Sequence, residues 1–192
     1  MEDWRPMSLC PELYWLESRS PMMRRRVPVT VGVVIGAYAS IACAASAPPP
    51  PTQPSPFYKR VMPTFEGETL SRNHFYSGQG GGHRMVVRFF SSDCGECKTT
   101  LPALQRIYQG ETNLVVVGIC EDESASRARD FVNGLGLTFP VVHDPKGSVA
   151  RLYEVSGKPA TFVVTPGGRV SWVGGAEQTE DVLRAALDAA GD

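Results

Sequence analysis

The sequence predicts an α/β domain with a mixed sheet and helices on both of its faces. Three observations carry this. Residues 85–90 and 114–119 are two nearly continuous apolar runs rich in Val, Ile and Phe, as expected of strands buried on both faces of a sheet. Between them, Leu101, Leu104, Ile107 and Tyr108 recur at helical spacing, which makes a strand–helix–strand unit. Further on, residues 160–164 and 170–173 flank Pro166-Gly167-Gly168, the signature of an antiparallel hairpin.

The remaining elements follow in order. A helix is expected over 123–133, with Ser124 as its cap and Gly134 near its end. Residues 138–142 read as a short strand and 149–153 as a short helix. Thr179 can cap a last helix with Glu180 and Asp181 in its first turn, where carboxylates suit the helix dipole. Its buried stripe is Val182, Leu183, Ala186, Leu187 and Ala190. Residues 77–82 read as a flexible glycine-rich loop. It precedes a strand instead of opening a helix, so it does not fit a phosphate cradle.

The chain has 192 residues, 42% of them hydrophobic and 20% charged, enough for one packed domain plus a small extra segment. The formal net charge of −1 excludes a basic nucleic-acid binder. The charge is uneven: residues 1–60 carry seven Lys and Arg against four Asp and Glu, and the acidic excess lies in the rest.

The front of the chain reads as an address. Arg24-Arg25-Arg26 precedes an apolar run over 27–42, and small residues follow through Ala47. A positive segment, an apolar segment and a small-residue exit describe a secretory signal or anchor over 1–47. A start at Met22 or Met23 would leave 1–21 untranslated. Ser40-Ile41-Ala42-Cys43 resembles a bacterial lipobox, departing from it at Ser40, and makes Cys43 a lipidation candidate. Cleavage after Ala45 or Ala47, or an uncleaved anchor, are the alternatives. All of them place the domain in the bacterial periplasm or cell envelope, where disulfides are permitted. Residues 48–56 hold Pro48 to Pro51, Pro54 and Pro56 and read as a semi-rigid spacer ahead of a domain over 57–192.

Five cysteines are too few for a disulfide scaffold, and only Cys94 and Cys97 are close neighbours. Their segment, Ser91 to Lys98, follows a predicted strand and opens a predicted helix. A helix N-terminus favours negative charge and lowers a thiol pKa from about 8.5 into the range of roughly 3.5–7.5. Cys94 is therefore the candidate nucleophile. Cys97, one turn on, is the candidate resolving thiol. A half zinc site and a purely structural disulfide are the competing readings, and no second ligand pair supports zinc. No cofactor is expected.

These residues resemble the thioredoxin superfamily, specifically the TlpA/ResA-like periplasmic thiol–disulfide oxidoreductases. The resemblance rests on Phe89-Phe90, the pair itself, Leu101-Pro102-Ala103-Leu104, Gly136 to Val141, Asp144 to Gly147, Pro159 to Phe162 and the Gly167-Gly168-Arg169 turn. It implies a three-layer α/β/α sandwich, with Pro159 a cis-proline facing the pair. It also implies clients with cysteines outside the cytoplasm, a membrane electron donor, attachment to the membrane through the N-terminal segment, and a reducing role in cytochrome c maturation. A reduction potential nearer to about −270 mV than to about −120 mV is expected on that basis.

Three residues depart from the pattern. Asp93 stands where Trp is usual, and with Glu96 it opposes a thiolate on Cys94. Lys158 precedes the proline, where it is either solvated or set to attract an acidic strand. Arg88 stands where thioredoxin carries a buried acid, so a proton acceptor is sought in Glu121 or Asp122. Cys120 reads as a small core residue. Two other functions are weighed. One is a copper chaperone holding the metal with Cys94, Cys97 and His143. The other is a thiol peroxidase of related fold, which Ser92-Asp93 before Cys94 does not suit.

Overall fold

The computed structural model describes residues 49–176 and 178–191. The signal, start-site and lipidation readings on residues 1–47 lie outside the described residues.

Strands β1 (Glu66–Glu68) and β2 (His74–Tyr76) form a small antiparallel hairpin. It is followed by a single 3-10 turn over Ser77–Gly80. The central elements are β3 (Arg84–Phe90), α1 (Cys97–Gly110), β4 (Leu114–Cys120), α2 (Ala125–Gly134), β5 (Val141–His143), α3 (Ser148–Leu152), β6 (Ala160–Val164), β7 (Val170–Gly174) and α4 (Glu180–Asp188). The five-stranded sheet has the order β5-β4-β3-β6-β7. β3, β4 and β5 run parallel, β6 is antiparallel to β3, and β7 is antiparallel to β6.

Alternation along each strand divides the core in two. Val86 and Phe90 of β3, Val116 and Cys120 of β4, and Val163 of β6 point to the face covered by α1, α2 and α4. Met85, Val87 and Phe89, with Val117, Ile119 and Phe162, point to the other. That face is closed by α3, through Val149 and Ala150, and by Met62 and Phe65 of the segment before β1. Tyr153 sits at its centre, its ring 5.3–5.8 Å from those of Phe65, Phe89 and Phe162. This is the three-layer sandwich the resemblance implies.

Most expected elements are present, with shifted ends. β5 begins at Val141, not at Thr138. Pro140 has no N–H to give a ladder, and Thr138 is instead tied through its backbone N–H to Gln105 Oε1 at 2.8 Å. β1 and β2 were not anticipated, because three-residue strands with exposed ends leave no periodic trace. The loop over 77–82 is more ordered than its composition suggests: Ser77 is buried and its hydroxyl accepts the Phe65 N–H at 2.9 Å. The proline-rich stretch touches the domain. Pro50 O accepts from Trp172 Nε1 at 3.1 Å, and the Thr52 N–H donates to Val173 O at 3.0 Å.

Candidate active site

β3 ends at Phe90 and the chain turns through Ser91–Asp93 into the cysteine pair. That turn is anchored from the loop just beyond β4. The Asp122 carboxylate accepts the Ser92 N–H at 3.1 Å and the Ser92 hydroxyl at 3.1 Å, and Asp122 is itself buried. Cys94 is half-buried and Cys97 fully buried, and the two are joined, with S–S 2.02 Å. Cys94 lies at the helix mouth, as expected: α1 begins at Cys97, and Cys94 precedes it by three residues. The Cys97 N–H donates to Cys94 Sγ at 3.1 Å, so that sulfur takes one of the N–H groups the first turn leaves unpaired.

The Lys158–Pro159 peptide bond is cis, and Pro159 is buried immediately before β6. Register carries β6 to the pair: Ala160 lies opposite Phe89 and Thr161 opposite Arg88. Pro159 therefore stands at the end of the sheet from which β3 runs into the cysteines.

Strand alternation sends Arg88 to the α1 face between Val86 and Phe90, among apolar neighbours. It is 2% exposed. Its Nη1 donates to Thr161 Oγ1 at 2.5 Å and its Nη2 to Thr100 Oγ1 at 2.8 Å. The same Nη2 stands 4.0 Å from Cys97 Sγ. Among the described residues Arg88 joins no ion pair. Burial pulls its pKa down to about 10, which still leaves it a cation at neutral pH. A buried cation without a counter-charge costs several kcal/mol, and two hydroxyls offset only part of that.

The acids proposed as proton acceptors are engaged elsewhere. Glu121 accepts Lys158 Nζ at 3.1 Å, so Lys158 is paired with its own chain. Asp122 holds Ser92 and accepts the Cys120 thiol at 3.4 Å. Among the described residues neither acid bonds to Cys94 or Cys97. Asp93 lies beside Cys94 as expected, but it pairs with Arg127 of α2, which reduces its repulsion. Cys120 is a fully buried core residue; burial and the neighbouring Asp122 push its thiol up to about 12. His143 donates Nε2–H to Asp122 O at 2.7 Å. Among the described residues no three His, Cys, Asp or Glu side chains converge on a metal-sized site, so His143 does not complete a copper site with the pair. Thr100 carries no motif, and Thr161 has no role assigned within the Pro159 to Phe162 segment, so both were missed as partners of Arg88. Only the register opposite Arg88 marks Thr161.

Comparison with known proteins fits this geometry. The model of the AhpC/TSA family matches residues 58–173, which includes the pair, Arg88 and Pro159. This chain belongs to the AhpC/TSA family. Among curated proteins it is similar to the thiol-disulfide oxidoreductase ResA of Oceanobacillus iheyensis, 28% identical over 56% of this chain and 57% of that protein. It is also similar to sporulation thiol-disulfide oxidoreductase A of Bacillus subtilis, 30% identical over 57% of this chain and 66% of that one. The chain thus spans about three fifths of the length of these relatives. Among solved structures it resembles a putative thiol:disulfide interchange protein DsbE of Chlorobium tepidum. The TM-score is 0.61 at 26% identity, covering 68% of this chain and 96% of that one. Chemically, the family's fold here presents one accessible sulfur over one buried sulfur, which is an arrangement for forming and resolving a mixed disulfide.

Proposed function

We propose that this chain is a thiol–disulfide oxidoreductase that exchanges disulfides with cysteine-bearing proteins outside the cytoplasm. The observation that carries the reading is the half-buried Cys94 joined to the buried Cys97 at the mouth of α1. The named activity of its relatives points the same way. Cys94 attacks, or is attacked by, a client sulfur. Cys97 then resolves the mixed disulfide from one turn inside. Pro159 closes the site from the β6 side and offers neighbouring backbone groups to an extended client strand.

Export is supported by Arg24–Arg26 and the apolar run over 27–42, and Cys43 is the position for a lipid that would hold the domain at the membrane. Loss of membrane fractionation in Cys43→Ser, with retention in the parent, is the expected result. The resemblance also carries a reducing role in cytochrome c maturation, recharged by a membrane electron donor. Such a role needs a pair with a potential below that of its clients.

The exchange reading is tested with Cys97→Ser. Blocking resolution should accumulate adducts that migrate slowly on a non-reducing gel, vanish with dithiothreitol and are missing from Cys94→Ser. A pair that does not cycle between dithiol and disulfide, and a Cys97→Ser protein that traps nothing, would overturn it.

A further inference from the structure

Opposite charges approach the pair from opposite sides. From within the core, Arg88 Nη2 stands 4.0 Å from Cys97 Sγ. From the surface, Glu96 Oε2 stands 3.9 Å from Cys94 Sγ. Asp93, also beside Cys94, is engaged by Arg127, and Lys98 on the first turn of α1 is exposed. Around Arg88 the nearest polar groups are neutral, the Thr100 and Thr161 hydroxyls. Beyond it lies a cavity of about 10 Å³ lined also by Gln178 and Glu180. The Glu180 carboxylate is held by Arg106 and Arg184. Arg88 is thus a cation inside the protein with no carboxylate against it among the described residues.

An ordinary structural arginine would be paired or would reach solvent. Among the described residues Arg88 does neither, and one group beside it can acquire a negative charge. That group is Cys97, and it does so only when the disulfide opens.

We infer that Arg88 stabilises a thiolate on Cys97, so that the buried sulfur carries the charge of the reduced pair and the disulfide is an oxidant of client dithiols. The inference rests on the exchange reading proposed above and gives it a direction, opposite to the reducing role implied by the resemblance.

A client thiolate, its proton already lost to solvent, attacks Cys94 Sγ. The bond between the two protein sulfurs breaks, and its electron pair leaves on Cys97 Sγ beside Arg88. The client's second thiol then gives its proton to Cys94 as it attacks the first client sulfur and expels Cys94. The client has lost two electrons and two protons. The pair has gained two electrons and one proton, held as a Cys94 thiol and a Cys97 thiolate; the other proton is in solvent. A better-stabilised leaving thiolate speeds the first attack and favours the reduced product. Glu96 works to the same end by disfavouring charge on Cys94.

Two measurements on the full chain test this. In Cys94→Ala, the ultraviolet thiolate absorbance, taken as the difference from Cys94→Ala/Cys97→Ala, gives the titration of Cys97 alone. Its midpoint should lie below the ordinary thiol value of about 8.5 in spite of burial. Arg88→Met should weaken its ionisation at least tenfold, and Arg88→Lys should restore it. Secondly, in equilibrium with glutathione, Arg88→Met should lower the constant for reducing the pair at least tenfold, about 30 mV. Arg88→Lys should stay within threefold of the parent. A Cys97 midpoint at or above about 8.5 with Arg88 in place overturns the inference. So does an equal shift from Met and Lys. Should Arg88→Met fail to fold, the Cys97 titration in the presence of Arg88 decides alone. A parent protein that does not cycle with glutathione, yet titrates low at Cys97, removes the exchange reading and the oxidant role with it while leaving the charge where the inference puts it.

Discussion

Gly118 and Cys120 lie two residues apart on β4 and share the α1 face, yet they fail in different ways when changed. A Cβ at Gly118 would stand 2.8 Å from Phe90 Cε1 and 3.2 Å from Val141 Cγ2. Both neighbours sit in the strands and core beside the site, with little room to retreat. Gly118→Ala should therefore cost about 1–3 kcal/mol in urea unfolding. Cys120 acts through its proton. Its folded thiol is pushed up to about 12, above the ~8.5 of an exposed one, so its contribution is intact below about pH 8.5. Above that pH the unfolded chain gives up the proton and the folded chain does not. Stability is then lost with rising pH, by at most about 1.4 kcal/mol per unit. Between pH 9 and 11 the parent should lose more stability than Cys120→Ala; parallel urea midpoints for the two would contradict this.

Among the elements, α3 shows how a short helix is held. It has five residues and its N-cap is Gly147, in the left-handed region at φ 62 and without a side chain to offer. The cap comes from three residues earlier. The buried Asp144 accepts the Ser148, Val149 and Ala150 N–H groups at 2.7, 2.8 and 3.3 Å. A carboxylate there pairs three orphan donors and suits the helix dipole. Removing it leaves the Val149 and Ala150 N–H groups buried without a partner. Asp144→Ala should cost about 2 kcal/mol or more, and Asp144→Asn, which keeps an acceptor, clearly less. Equal midpoints for the two variants in chemical denaturation would mean that the cap is not what holds α3 in place.

For the whole molecule, stability and redox state are linked. In the disulfide form Arg88 is buried with hydroxyl partners alone among the described residues; in the dithiol form, on the charge placement inferred here, it gains a thiolate. Against this, the disulfide constrains the unfolded chain, but across a sequence separation of only 3. A loop that short contributes about 2 kcal/mol or less. The reduced protein should unfold at the higher urea midpoint, and Arg88→Met should reverse the order. A parent whose oxidised form is the more stable would set a low ceiling on what Arg88 supplies. The order of the two midpoints needs no client, so it can be read on the isolated protein.

From residue order alone came the buried strands, the α1 stripe, the β6–β7 hairpin and the cysteine pair at a helix mouth. All of these are local patterns, visible because side-chain periodicity and turn chemistry act within a few residues. The β1–β2 hairpin left no such trace, since each strand is too short to show a period. The partners of the charged groups were also hidden. Arg88 lies 73 residues from Thr161, Lys158 lies 37 from Glu121, and Asp122 lies 30 from Ser92. Only the register of β6 on β3, and of β4 beside it, brings them together. Sequence thus determined where the sulfurs are and, through the resemblance, that an arginine stands where an acid is usual. Tertiary structure decided that this arginine is buried against Cys97, because a contact across strands is set by how the chain returns, not by what precedes it along the chain.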